Sequence, residues 1–290
     1  MNAELRDLRW FLVLAEEEHF SHAADRCRVT QPTLTRSLAR LEAALGVRLV
    51  DRTTRSVRLT EPGRRLRSEL AVLLPRLDSA LRSVSAHPNL RLGFTWLLPS
   101  GLARRLITEF EQDSGGRLEL IRRDERTAGV TTGHTDAAVI HGRPPAEDGL
   151  RVVELGVETR VAAVGAHHPL ARRRRLRWAE LAEHPLVVNK LSGTVGPSLW
   201  PSGARPEVAV TCRTYDEWIE MVAADRGVGV LPRSARSHPH PGVRYISIAD
   251  APTVPLVLVT PVRAPHPLTD HLERIALAAA RESALSRSHD

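Results

Sequence analysis

The chain has 290 residues, enough for two or three domains rather than a single core. Hydrophobic content of 42% supports folding, and the formal charge of +7, carried by arginine with Lys190 as the sole lysine, permits a polyanionic partner without proving one. Two cysteines, Cys27 and Cys212, argue against a disulfide framework. No run of 18 apolar residues suggests a membrane span, and the charged start MNAELRDLRW does not read as a signal peptide, so a cytoplasmic location is expected.

Residues 4–18 read as a first helix with Leu5, Leu8, Phe11, Leu12 and Ala15 on one side. Ser21 is expected to cap a second, short helix ending near Arg28, with Ala23 and Ala24 allowing close helix approach. The joint Arg28-Val29-Thr30 has the length of a helix-turn-helix turn. Thr30 to Gly46 then forms the helix on which the reading turns. Leu34, Leu38, Leu41 and Leu45 share one side, whereas Pro32, Thr33, Thr35, Arg36 and Arg40 lie on or flank the other. Thr30 is placed to cap it and Gly46 to end it. Residues 28–66 carry nine arginines against three acids, so positive charge is concentrated around this helix. It reads as a DNA recognition helix.

Residues 47–60 alternate as two short strands about a polar turn, a basic wing. A longer helix follows from Glu61 to about Ser85, capped by Thr60. Its Leu66, Leu70, Leu73, Leu77, Leu81 and Val84 recur like a coiled-coil seam, and Pro75 should bend it without breaking it. Ala86–Asn89 is a linker. Beyond it, strands at 90–95, 117–123, 136–142, 160–165, 184–190, 227–232 and 254–261 alternate with helices at 98–113, 215–225 and 268–283. That alternation predicts a mostly parallel sheet covered by helices.

The stretch from Phe20 to Gly63, FSHAADRCRVTQPTLTRSLARLEAALGVRLVDRTTRSVRLTEPG, resembles the winged helix-turn-helix of LysR-type transcriptional regulators. The likeness rests on Ala23-Ala24, Gln31-Pro32, Leu41-Glu42, Leu45-Gly46, Arg48–Arg52 and Leu59-Thr60…Gly63. It continues through Thr132–Val139, His168-Pro169-Leu170 and Val222…Gly227–Pro232, which resemble the family's effector domain. Thr30 and Thr35 stand where the family more often has serine, Val50 replaces a usual phenylalanine, Asp225 a common glycine, and Pro75 is unusual in the linker helix.

The resemblance implies an α/β multi-domain chain with an N-terminal all-α winged helix-turn-helix. A long linker helix and a two-subdomain, periplasmic-binding-protein-like α/β effector domain follow. The expected divisions are 1–60 for DNA binding, 61–87 for the linker and dimerisation helix, 88–162 with 252–285 for one regulatory subdomain, and 163–251 for the other. It also implies a homodimer or homotetramer and a small-molecule effector between the subdomains, with RNA polymerase a further possible partner.

On double-stranded DNA, the Arg36 fork suits guanine, Gln31 adenine or a phosphate, and Pro32 and the Thr35 methyl a thymine methyl. Thr33 and Arg40 flank that face, and Ser21, Arg52 and Arg55 are candidates for phosphates. No aromatic residue lies between Ser21 and Gly93, which argues against single-strand stacking. For the effector, positions after strands and at helix starts point to Thr95, Trp96, Ser100, His141, Ser192 and Thr194. Trp96 would supply an aromatic wall. His167-His168 and His238-Pro239-His240 lack zinc-ligand spacing, and Gly227-Val228-Gly229 lacks the third glycine of a dinucleotide loop. No metal, cofactor or catalytic group is expected. A secreted solute-binding protein would need an export signal, and an enzyme on this scaffold a nucleophile, clustered acids or a cofactor loop.

Overall fold

The computed structural model describes residues 3–53, 56–83, 89–99, 101–145, 149–263 and 265–287. It divides into two compact units, Met1–Leu81 and Arg82–Asp290.

The first unit contains α1 (Leu5–Glu17), α2 (Phe20–Cys27), α3 (Gln31–Leu45), the hairpin β1 (Val50–Thr53) and β2 (Ser56–Leu59), and α4 (Glu61–Ser83). Its core joins Phe11, Leu14 and Ala15 of α1, Ala23 and Ala24 of α2, and Leu34, Leu38 and Leu41 of α3. Leu49, Val50, Val57, Leu70 and Leu74 complete it. The face expected for α1 shifts accordingly: Leu14 is fully buried, whereas Leu5 at the helix start is exposed. Gly46 ends α3 in the left-handed region at φ 70°, where glycine carries no Cβ penalty. Thr60 caps α4 as expected, its hydroxyl accepting the Gly63 N–H at 3.1 Å.

Helix α4 runs unbroken through Pro75. Its leucines do not form one seam. Leu66, Leu70 and Leu74 turn inward to the unit's core, whereas Leu73, Leu77 and Leu81 remain exposed along another side. Val84 lies outside the described residues.

The second unit has two lobes. In the first, β3 (Asn89–Phe94), β4 (Arg117–Arg122), β5 (Ala137–His141), β6 (Leu150–Glu158) and β13 (Val254–Pro261) form a sheet in the order β4-β3-β5-β13-β6. Helices α5 (Leu102–Ser114) and α7 (Thr269–Arg287) cover one face through Leu106, Phe110, Leu272 and Ala276. The second lobe holds β7 (Arg160–Gly165), β8 (Arg175–Leu176), β9 (Leu186–Asn189), β10 (Val208–Cys212), α6 (Tyr215–Ala223), β11 (Gly229–Pro232) and β12 (Val243–Ile248). Strand β7 is central and serves two cores by alternation: Val161 and Ala163 meet Trp218 and Val222, and Ala162 and Val164 meet Leu181 and Trp200. The chain crosses between the lobes twice, from β6 to β7 and from β12 to β13.

The expectation of a mostly parallel sheet is corrected. In the first lobe β3, β4 and β5 pair parallel, whereas β13 pairs antiparallel with both β5 and β6 because the chain returns from the second lobe in the opposite sense, so the sheet is mixed and β6 runs in the direction of the first three. The helix expected from residue 98 starts at Leu102, since Gly101 at φ 79° cannot continue a right-handed turn. Asp225, where the family commonly has glycine, adopts φ 58° at the end of the α6 segment. Replacing Asp225 with glycine should therefore raise the melting temperature, gaining about 0.5–1 kcal/mol of relieved strain. A decrease would show that the aspartate side chain outweighs its backbone cost.

Candidate nucleic-acid interface and effector cleft

In the first unit, α3 offers Gln31, Pro32, Arg36 and Ala39 as exposed side chains, with Thr33 and Thr35 half-buried beside them. Among the described residues Arg36 bonds only within its own helix, Nε donating weakly to the Pro32 carbonyl at 3.4 Å, so its fork can turn outward. Thr30 takes the cap position in backbone terms, but its hydroxyl pairs with the Thr33 hydroxyl at 2.8 Å rather than with a helix N–H. The cap assigned to Ser21 is corrected, because α2 begins at Phe20 and Ser21 lies inside its first turn. There the Ser21 hydroxyl donates to Gln31 Oε1 at 3.3 Å, linking the two helix starts. Arg52 lies on β1 opposite Val57, and Arg55 falls outside the described residues.

Arg40 has a structural duty that its sequence position concealed. Its guanidinium grips the buried Asp7 of α1 at 2.7 and 3.2 Å, and the buried Ser37 hydroxyl donates to the same carboxylate at 2.5 Å. Burial alone would raise the Asp7 pKa, but hydrogen bonds from Arg40 and Ser37 hold it below the usual 3.8. The pair locks α3 onto α1 and leaves Arg40 half-exposed at the edge of the outward face. Glu42 stitches the other end of α3, accepting the Leu49 and Val50 N–H groups that begin the wing.

In the second unit the candidate cleft lies between the lobes. Thr95 and Trp96 follow β3. The indole of Trp96 stacks on His141 at 5.4 Å and on Tyr215 at 5.2 Å, and Tyr215 stacks in turn on Trp218 at 5.9 Å. A column of rings thus joins the first lobe to the second. The next residue, Leu97, belongs to the second lobe's core beside Val161, Trp218 and Leu231. At the mouth, Arg122 of β4 contacts both Asp124 and Asp216 of α6 at 3.1 Å. These contacts leave a cavity of about 30 Å³, bounded by Trp96, Thr194, Val195, Tyr215, Trp218 and Val230 among others. That is room for little more than a water between the lobes as they stand.

Two buried charges sit where the chain first crosses. Glu158 accepts His141 Nε2 from the first lobe at 3.0 Å and the Ser234 N–H from the second at 2.9 Å. Burial works to raise its pKa, and the His141 contact and Ser234 together hold it below the ordinary carboxylate value. Arg160 donates to the Pro252 carbonyl on the returning crossing and to Thr194.

Among the predicted effector residues, Trp96 and Thr194 line the cavity, and His141 lies directly behind Trp96. Thr95 and Ser192 are buried with hydroxyls that find no partner among the described residues. Ser100 falls outside the described residues. Sequence reasoning missed Tyr215, Trp218, Asn189, Glu158 and Arg160. The aromatic spacing Tyr215-x-x-Trp218 at a helix start was a usable signal for the first two; nothing local marks the hinge pair.

The architecture defines a winged helix-turn-helix regulator joined to a two-lobed ligand-binding module. The chain matches the model of the bacterial regulatory helix-turn-helix protein, lysR family, over residues 5–64, and that of the LysR substrate binding domain over residues 85–281. It is 33% identical to the HTH-type transcriptional regulator TtuA of Agrobacterium vitis over 244 residues, covering 79% of this chain and 80% of that protein. It is 30% identical to the regulator YnfL of Escherichia coli (strain K12) over 281 residues, covering 88% and 90%. The crystal structure of full-length CbnR complexed with its target DNA superposes with a TM-score of 0.71 at 19% identity, covering 96% of this chain and 99% of that one. The chain belongs to the LysR family of transcriptional regulators.

Two outcomes test the geometry. A Cβ built on Gly229 would lie 2.1 Å from Trp218 Cζ2, so Gly229→Ala must displace the indole that donates to the Val187 carbonyl. It should cost about 1–3 kcal/mol in thermal melting and red-shift tryptophan emission; unchanged emission would mean that the strand yields instead. Because the Asp7 pKa is lowered on folding, its stabilisation is present above 3.8 and lost as the pH falls through the folded value. Asp7→Asn should weaken the α1–α3 contact by about 1–3 kcal/mol at neutral pH, read as faster hydrogen exchange in α3, and should blunt the wild-type loss of protection in acid.

Proposed function

We propose that this LysR-type regulator recognises a specific double-stranded DNA site with α3 and the wing, and changes its DNA geometry when a small effector enters the cleft between its C-terminal lobes. Residues 1–60 would bind DNA and 61–87 pair the chains, and the effector would sit between subdomain 88–162 with 252–285 and subdomain 163–251. The observation carrying this reading is a cavity walled jointly by Trp96 of the first lobe and by Thr194, Tyr215 and Trp218 of the second. A ligand held by both lobes favours one lobe arrangement by its differential contacts, and that bias is what a regulator can transmit.

On DNA, Arg36 would read guanine, Gln31 adenine or a phosphate, and Pro32 and Thr35 thymine, with Thr33 and Arg40 at the margin of that face. Ser21, Arg52 and Arg55 would hold phosphates. The bound DNA of the CbnR complex supports the polyanionic partner. Effector contacts would come from Thr95, Trp96, Ser100, His141, Ser192 and Thr194. The exposed Leu73, Leu77 and Leu81 of α4 support antiparallel pairing into a homodimer and then a homotetramer, spacing recognition helices about 34 Å apart. Among the described residues no helix is long and apolar enough to cross a membrane, which fits a regulator acting in the cytoplasm, with RNA polymerase as its downstream partner.

Arg36→Ala should cost about 1–3 kcal/mol in operator affinity and relax preference at one base position. Uniform weakening over all sequences would reassign Arg36 to a phosphate. A low-salt footprint with no protected DNA would sink the DNA reading altogether. A ligand screen by thermal stability should find compounds that raise the melting temperature and alter the footprint, since binding to the folded state alone stabilises it by mass action.

A further inference from the structure

Five of the six residues from Arg172 to Arg177 are arginine, and all five are exposed. The sixth, Leu176, is 1% exposed and pins the stretch to the second lobe's core. Its carbonyl accepts the Ala249 N–H at 2.8 Å, and β8 pairs with β12 through Arg175 opposite Ser247. The backbone is therefore fixed while the guanidiniums reach into solvent, unlike a basic tail that must be ordered on binding. Strand β8 is also the edge of its sheet. Charged side chains blunt such an edge, but blunting it does not require five charges of one sign.

Little of this charge is answered. Arg173 pairs with Glu180 at 3.0 Å, whereas the side chains of Arg172, Arg174, Arg175 and Arg177 bond to no carboxylate among the described residues. Glu180 and Asp250 instead accept the backbone N–H groups of Arg177 and Trp178, each at 2.6 Å. The positive surface continues across β12. Arg236 donates to the hydroxyl of Ser247, the residue opposite Arg175, at 2.9 Å, and Arg244 is exposed on the same strand. Arg236 and Arg244, with His240 and Tyr245, border an open groove of about 560 Å³ with no acidic side chain in its lining. Glu220 of α6 meets His240 at 3.4 Å.

Like charges held on a fixed framework repel one another, and that cost is relieved when an anion with repeated charges spans them. The arginine fork matches phosphate oxygens two at a time. We propose that this arginine edge is a second, sequence-independent contact to the phosphates of duplex DNA, made by the C-terminal unit to DNA that α3 and the wing already hold. It rests on the DNA reading of the first unit and adds a contact outside it. Arg172, Arg174 and Arg175 carry the contact, and Arg236 and Arg244 extend it. Because the same chain carries the recognition helix, bound DNA meets the edge at high effective concentration, so a weak contact suffices. Phosphate contacts of this kind add affinity and salt dependence without adding sequence preference.

The test measures duplex binding by the full-length protein in sodium chloride from roughly 50 to 200 mM. The probes are a long mixed-sequence duplex and duplexes that the wild type enriches from a random pool. Arg172→Gln, Arg174→Gln and Arg175→Gln together should lower the slope of log affinity against log salt by about 2–3, weaken both kinds of duplex alike and leave the ranking of sequences intact. Arg172→Lys, Arg174→Lys and Arg175→Lys together should recover the slope. Arg205, Arg213 and Arg226 are also exposed on the second lobe. Changing those three to glutamine removes the same charge and should leave the slope at its wild-type value. All these variants should melt with the wild type, since every side chain replaced is exposed. An unchanged slope in the edge variant, an equal fall in the Arg205, Arg213 and Arg226 variant, or an altered ranking of sequences would each overturn the proposal. In an Arg36→Ala background the edge substitutions should lower the slope by the same amount, as expected for independent contacts. Wild-type protein that binds no duplex at low salt would refute the DNA reading itself; wild-type binding with an unchanged edge variant refutes the edge alone.

Discussion

A charge taken out of water must be answered from within the protein, and in both units the answer decides which elements are held together. Asp7 is buried, so Arg40 and Ser37 must come to it, and the recognition helix is thereby fixed on α1. Arg91 and Asp136 meet at 2.7 Å in the second unit and tie the start of β3 to the segment entering β5. Glu158 collects His141 from one lobe and Ser234 from the other. Apolar burial supplies the bulk of the cohesion, but it is non-directional; these paired groups add the angular demands that choose one packing.

Closure of the cleft follows from where apolar side chains were placed along one loop. The segment after β3 belongs to the first lobe by connectivity, yet Leu97 is buried in the second lobe's core and Trp96 stacks against Tyr215. Opening the lobes would expose both side chains, a cost of about 1.5–3 kcal/mol for a buried Leu-sized group. The surface ion pair of Arg122 with Asp216 adds little by comparison, since Asp216 is largely exposed. The lobes are therefore held by the protein's own aromatic column, and a ligand that enters must replace some of those contacts with equivalent ones.

How legible all this was in the sequence depends on the range of the cause. The wing and the helix-turn-helix are local: leucine periodicity, a three-residue joint, Thr60 and Gly46 each act within a turn or two of themselves. Strands β7 and β13 were legible because a strand buried on both faces is apolar throughout, as RVAAVG and VPLVLVTP are apart from their first or last residues. Strands β6, β8 and β10 were not, since edge exposure or short length dilutes the pattern, as the exposed Val152 and Val157 of β6 illustrate, and the interior β12 carries Arg244 and two serine or tyrosine positions among its apolar residues. The antiparallel entry of β13 could not be read either, because it depends on a return crossing nearly a hundred residues after the first.

The binding residues divide in the same way. Trp96, His141 and Thr194 stand after strands, where an open α/β sheet exposes its ends, and that rule is readable from local pattern. Arg40 looked like another arginine of the outward face, and only the burial of Asp7, thirty-three positions away, reveals its attachment. Arg160 is the sharper case. In sequence it opens an apolar strand and resembles a snorkelling surface residue; in space it is buried at the first crossing and bonds the Pro252 carbonyl of the second. A residue placed at the junction of two crossings inherits its environment from the whole topology. Its chemistry is then coupled to lobe closure, since the Thr194 and Pro252 carbonyls that solvate it keep their positions only while both crossings keep theirs.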